Sequence, residues 1–196
     1  YQVTLPLPED IDPLTLRATL SDQNGHELIA YAPKPRPDSP MPKPVQRPAA
    51  PAEVATVEEL YLTGLRIEQL YSPSFEAAPY YEEMLRRDPG DYRANTAMGI
   101  LLSRQWRWTE AAKFLSNAVA RATANYIRPA NGDAFYYLGV ALKAQSRLND
   151  AFEALQRAAW DLTWRTSADQ AIAEIHCARG EFEAARERLA NLPSNG

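Results

Sequence analysis

The side chains best suited to proton transfer or metal binding in this 196-residue sequence are two histidines, His26 and His176, and one cysteine, Cys177. Glu174 and Cys177 lie either across a helix from His176 or next to it in the chain, so no chelating face forms and no metal is expected. Glu82 and Glu83 precede Arg86 and Arg87 at helical spacing, which makes surface ion pairs rather than an acid-base couple. Glycine-rich phosphate loops, nucleophile elbows and dinucleotide fingerprints are absent. The expectation is therefore a chain without catalytic activity and without cofactors. Four tryptophans carry more information. Trp106 and Trp108 bracket one turn, and Trp160 and Trp164, four apart, share a face if one helix carries both. Trp108 and Trp160 are expected in the core. Trp106 and Trp164 are the aromatic contacts expected at an interface or a sugar-stacking site.

Composition narrows the partners. A net charge of -4 leaves no basic excess to neutralise a phosphate backbone, so nucleic acid is excluded as a partner. No apolar run is long enough for a membrane span, and the N-terminus lacks a signal-peptide layout. A single cysteine rules out an internal disulfide and fits a reducing cytoplasm, the expected location. The chain opens at Tyr1 without methionine and runs directly into Val3-Thr4-Leu5, which reads as a piece cut from a longer polypeptide.

The elements that would position any contact residue fall into three segments. Residues 1–32 read as short strands. Leu14 to Leu20 and Glu27 to Tyr31 alternate with period two around Asn24-Gly25, a hairpin signature, and Val3 to Leu7 adds a third run. Three such strands are marginal alone, so they pack on the helices or complete a preceding β-sandwich. Residues 33–56 form a spacer: eight of the sixteen prolines fall between Pro33 and Pro51, which excludes helix and central strand and favours polyproline II. Pro37 and Pro40 also have the separation that a proline-binding domain requires.

From residue 57 to 193 the chain is helical and repeated. Gly99 is followed at fixed offsets by Ala111, Leu115 and Ala118; Gly139 by Ala151, Leu155 and Ala158; Ala173 by Ala185, Leu189 and Leu192. Gly64 heads a looser copy, with Ala77, Tyr81, Met84 and Pro89 in place once a residue is inserted between Tyr71 and Phe75. A small residue at the head position lets two helices approach, and the alanines are expected to supply the facing surface. Trp108, Leu148 and Phe182 stand three residues before their alanines as plugs over the turns. One pair cannot bury its apolar stripe, but stacked neighbours can.

These spacings resemble the tetratricopeptide repeat (TPR) family, from about residue 57 to 192. The resemblance implies a mainly α fold, a right-handed superhelical stack of about four antiparallel helix pairs preceded by the small β piece. Residues 124–131 depart from the pattern as an insertion that bends the stack or contacts the N-terminal piece. In that family ligands lie along a groove lined by the first helix of each pair. The resemblance places there Tyr61, Leu65 and Glu68; Arg93, Thr96, Ile100 and Arg104; Asp133, Tyr136, Val140 and Lys143; and Gln170 and Glu174. The lysine and asparagine set that clamps chaperone C-termini is missing, and the basic spots at Arg93, Arg104 and Lys143 suit an extended peptide of some acidic character. His176 falls where the family places a core-facing aromatic. The order of strand-rich piece, proline spacer and helices is also similar to the C-terminal part of large bacterial multidomain proteins. Two functions follow: a scaffold that binds a protein, a peptide or an upstream domain of the same polypeptide, or a structural tail of a larger, carbohydrate-active enzyme.

Overall fold

The structure, a computed structural model, describes residues 10–35, 47–70, 74–125, 127–128 and 130–190, with isolated positions 4, 6 and 8. The chain forms two compact units, Tyr1–Gln46 and Arg47–Gly196. Val3, Leu5 and Leu7, and residues 36–46 of the proline-rich segment, lie outside the described residues.

In the first unit the hairpin is shorter than its alternation suggests. Leu14 and Thr15 belong to a 3-10 turn, Pro13–Thr15, capped by the Asp12 carboxylate on the Leu14 N–H. Proline at the first turn position and the Asp12 cap divert the chain from strand geometry. β1 (Ala18–Ser21) then pairs antiparallel with β2 (Glu27–Tyr31), Leu20 opposite Ile29, with an irregularity between Leu20 and Ser21. Asp22 closes the loop by accepting the N–H groups of Asn24 and His26, and Gly25 alone takes positive φ, at 84°.

The second unit holds eight helices among the described residues. They are α1 (Val57–Gln69), α2 (Ala78–Arg87), α3 (Tyr92–Arg104), α4 (Trp108–Ala122), α5 (Asp133–Ala144), α6 (Leu148–Ala158), α7 (Leu162–Ala178) and α8 (Phe182–Ala190). Each consecutive pair packs together, and each pair packs on the next. Thr56 and Glu59 form a capping box at the start of α1, and Asp91 and Asp161 cap α3 and α7. Residues 47–55, read from sequence as spacer, lie on α2. Tyr80 donates its hydroxyl to the Ala49 carbonyl, and Arg87, braced by the buried Glu83, donates to the Val54 and Ala55 carbonyls. Two guanidinium groups on one carboxylate hold the Glu83 carboxyl down at about 2.

The head residues of the first three pairs occupy equivalent seats, and a large side chain faces each of them first, with an expected alanine adjoining only at Gly139, through the Ala151 carbonyl. A β-carbon at Gly99 would stand 2.4 Å from Leu115 Cγ, one at Gly139 2.5 Å from Leu155 Cγ, and one at Gly64 2.6 Å from the Tyr81 ring. Helix and helix touch through a large side chain laid on a bare backbone. The turn alanines Ala77, Ala111, Ala151 and Ala185 are all buried. Trp108 and Leu148 pack against the core as plugs, whereas Phe182 is 67% exposed because no described helix follows α8 to cover it.

Three of the turns within pairs share one backbone device. Trp106, Ser146 and Gly180 have φ near +63°, +61° and +79°. The N–H groups of Arg107, Arg147 and Glu181 reach back to the carbonyls of Leu102, Leu142 and His176, each the outer bond of a Schellman motif. Left-handed backbone costs an L-residue about 1 kcal/mol, and only Gly180 avoids the cost. Ser146→Gly, at an exposed site, is expected to stabilise the unit by up to about 1 kcal/mol, read as a raised denaturation midpoint.

Candidate functional site

The first helices share one side of the stack: α3 packs on α5 and α5 on α7, in addition to the contacts each makes with its own partner. The site residues expected from sequence are on these helices, and the structure shows which are available. Thr96 is not. It is buried, and its hydroxyl donates to the Tyr92 carbonyl, the ordinary fate of an inward-turned helical threonine. Leu65, Ile100 and Val140 are half-buried, while Gln170 and Glu174 are exposed.

The free basic spots are corrected as well. Arg93 lies 4.5 Å over the Tyr61 ring and pairs with Glu58 at 2.6 Å. Arg104 pairs with Glu68 at 2.9 Å, and Lys143 pairs with Glu174. Each pair joins one first helix to the next, across 35, 36 and 31 residues of sequence. The cations therefore form a compensated ladder and do not by themselves select an acidic ligand. Exposed pairs of this kind contribute about 0–1 kcal/mol each to stability, so a ligand can compete for them.

The first helices also carry an aromatic cluster, on α5 and α7. Tyr136 stacks on Trp164 with centroids 4.7 Å apart and planes 23° from parallel, and Tyr137 meets both rings edge-on at 5.3 and 5.4 Å. Trp164 is thus half-buried on the α7 wall of the face. Loss of hydration pushes the Tyr61 and Tyr136 phenols up, so both stay protonated donors at neutral pH. Tyr92 donates its hydroxyl to Asp133 of α5, and burial, with that carboxylate, pushes its phenol further up. Tyr92, Tyr137 and Glu58 were missed from sequence. Tyr92 sits one turn before Thr96, a spacing that could have found it, and Glu58 stands six residues before Gly64 as Arg93 does before Gly99, so the register could have found it too, whereas Tyr137 carries no positional signal.

The other tryptophans divide differently from expectation. α6 stops at Ala158 and Asp161 starts α7, so Trp160 and Trp164 share no helix. Trp160 sits in the turn, 45% exposed rather than in the core. Trp106 is 78% exposed at its left-handed turn position, touching Trp108 edge-on at 5.6 Å. His176 packs as an aromatic: its ring meets Phe152 edge-on at 5.4 Å and Nδ1 lies 2.6 Å from Glu181. Among the described residues no three metal-ligating side chains converge, and no described helix is long and apolar enough to cross a membrane.

Helix pairs in constant register, small head residues under large side chains and first helices side by side on one face decide the architecture. The fold is tetratricopeptide-like. No family model matches the chain. Solved structures do. MamA 41-end from Desulfovibrio magneticus RS-1 superposes with a TM-score of 0.58 at 22% identity, over 69% of this chain and 72% of that one. Another MamA crystal structure gives 0.60 at 20%, over 71% and 77%. YrrB, described as a TPR protein with an unusual peptide-binding site, gives 0.59 at 20%, over 69% and 66%. At these identities the likeness is one of fold.

Proposed function

We propose that this chain is a protein-interaction module, without catalytic activity of its own, whose first-helix face takes an extended peptide. The observation that carries the reading is the Tyr136–Trp164 stack with Tyr137 at its edge. A rigid aromatic group loses little conformational freedom on binding and offers large apolar area, which is why such residues dominate interface energetics. The ion-pair ladder on the same helices supplies charged groups that exchange partners at small cost, fixing the register of the peptide rather than its affinity. Trp106 offers a separate contact at the α3–α4 turn. The peptide-binding site named for YrrB accords with this use of the fold.

Peptides selected from a displayed library on the purified chain provide the test. Trp164→Ala is expected to weaken the selected peptides at least about tenfold, the scale of an aromatic hot spot, with Phe182→Ala as a control outside the face. Peptides that bind both variants like the parent, by calorimetry, would refute the placement of the site.

A second reading rests on the hairpin, where Leu20, Leu28, Ile29 and Tyr31 are all more than half exposed. In it, β1 and β2 complete the sheet of a β domain elsewhere in the same polypeptide, and that domain is the partner.

A further inference from the structure

Most described arginines close ion pairs, as Arg93, Arg104, Arg107 and Arg147 do with Glu58, Glu68, Glu110 and Asp150. Three arginines around the α6–α7 turn do not. Arg128 donates to the Trp160 carbonyl at 2.7 Å, Arg157 to the Ile127 carbonyl at 2.6 Å, and Arg165 to the Ala159 carbonyl at 3.3 Å. Among the described residues none of the three has a carboxylate within ion-pair distance. Arg157 is held further by lying 4.4 Å over the Phe135 ring. A backbone carbonyl orders a guanidinium without neutralising it, so these are three fixed cations with donors to spare.

They converge on two cavities that share Arg157 and Trp160. One, of about 230 Å³, is lined also by Arg128, and the other, of about 500 Å³, also by Arg165. The charges near them do not cancel. Asp161 lines the first cavity, but its two oxygens are engaged by the N–H groups of Gly132 and Thr163. Asp169 lines the second and pairs with Arg188 at 2.8 Å, a neutral couple. Over the two adjoining cavities together, three cations against one committed carboxylate leave an excess of two positive charges, with Arg157 common to both, in a chain whose net charge is -4.

We propose that the Arg128, Arg157 and Arg165 cluster binds a phosphate-type dianion, either free phosphate or the phosphate of a phosphorylated peptide side chain, against the Trp160 indole. A dianion matches the excess of two charges, and its three or more acceptor oxygens suit three guanidinium groups, where a carboxylate brings one charge and two oxygens. Because the arginines are already ordered, little side-chain freedom remains to be lost on binding. The site adjoins the Tyr136–Trp164 stack, since Gly132 of the first cavity lies against Trp164, but neither ring lines either cavity, and the phosphate site stands whether or not that face takes a peptide.

The probes are inorganic phosphate, a phosphoserine peptide and its unphosphorylated counterpart, titrated by calorimetry into the whole chain at constant ionic strength set with chloride. Phosphate is expected to bind and to raise the unfolding midpoint. Arg128→Ala with Arg165→Ala, both exposed and outside the core, is expected to weaken it at least about tenfold. Arg157→Lys keeps the charge and loses the planar fork, and is expected to weaken binding without loss of fold. A phosphopeptide that binds more tightly than inorganic phosphate identifies a protein source; equal affinities identify the free ion. Equal phosphate binding by the parent and the double variant, or a midpoint shift reproduced by chloride alone, overturns the proposal.

Discussion

Replacing Leu115 by alanine is expected to destabilise the helical unit by about 3 kcal/mol, within the 2–5 kcal/mol typical of fully buried leucines. Gly99→Ala is expected to cost about 1–2 kcal/mol, since overpacking outweighs the roughly 1 kcal/mol that alanine gains over glycine in a helix. The two together are expected to cost clearly less than their sum. The three nearest atoms to a β-carbon at Gly99 all belong to Leu115, at 2.4, 2.8 and 3.1 Å, so shortening Leu115 clears the space that the new methyl needs. At Gly139 the same exchange with Leu155 leaves the Ala151 carbonyl 3.2 Å away, so rescue there is expected to be smaller. Urea unfolding of the two cycles measures this. Strict additivity at Gly99 and Leu115 would show that the seat is not what joins α3 to α4.

The cycle also marks what was legible in the sequence. The register of Gly64, Gly99, Gly139 and Ala173 announces the fold because a close helix approach excludes a large side chain at that one position, and composition records the exclusion. What faces the glycine is less legible, since Leu115 and Ala111 lie on the same side of α4 and only packing separates them. Trp106 reads as a binding aromatic, yet its exposure follows from a left-handed turn that it shares with Ser146 and Gly180. Asp161 before Leu162 was the available sign that Trp160 and Trp164 part company, because an N-cap aspartate starts a helix. Phe182 fits the plug pattern, and its exposure depends on neighbours that a local pattern does not contain. The groove charges were misread for a related reason. Glu58, the partner of Arg93, is on another helix pair, so the cation reads as free until the pairs are stacked.

Tyr81 carries the second large effect and ties the core to the groove. It is fully buried, it takes at Gly64 the seat that leucine takes at Gly99 and Gly139, and its hydroxyl donates to Glu68 at 2.9 Å. Glu68 in turn holds Arg104 of the next first helix. Tyr81→Ala is expected to cost about 4 kcal/mol, as other large buried aromatics do. Tyr81→Phe keeps the ring and is expected to cost about 1 kcal/mol, the value of one hydrogen bond. The two variants also separate on the alkaline side. Burial and the Glu68 carboxylate push the Tyr81 phenol well above the ordinary tyrosine range, so the unfolded chain loses this proton first. The stability that the phenol contributes is therefore complete below about pH 10, the unfolded value, and declines as pH rises toward the folded one. Tyr81→Phe is expected to flatten the fall of the thermal midpoint above pH 10, and Tyr92→Phe to flatten it further, because Tyr92 is shifted in the same direction by burial and Asp133. An alkaline limb unchanged in both variants would mean that neither phenol is held as the hydrogen bonds to Glu68 and Asp133 require.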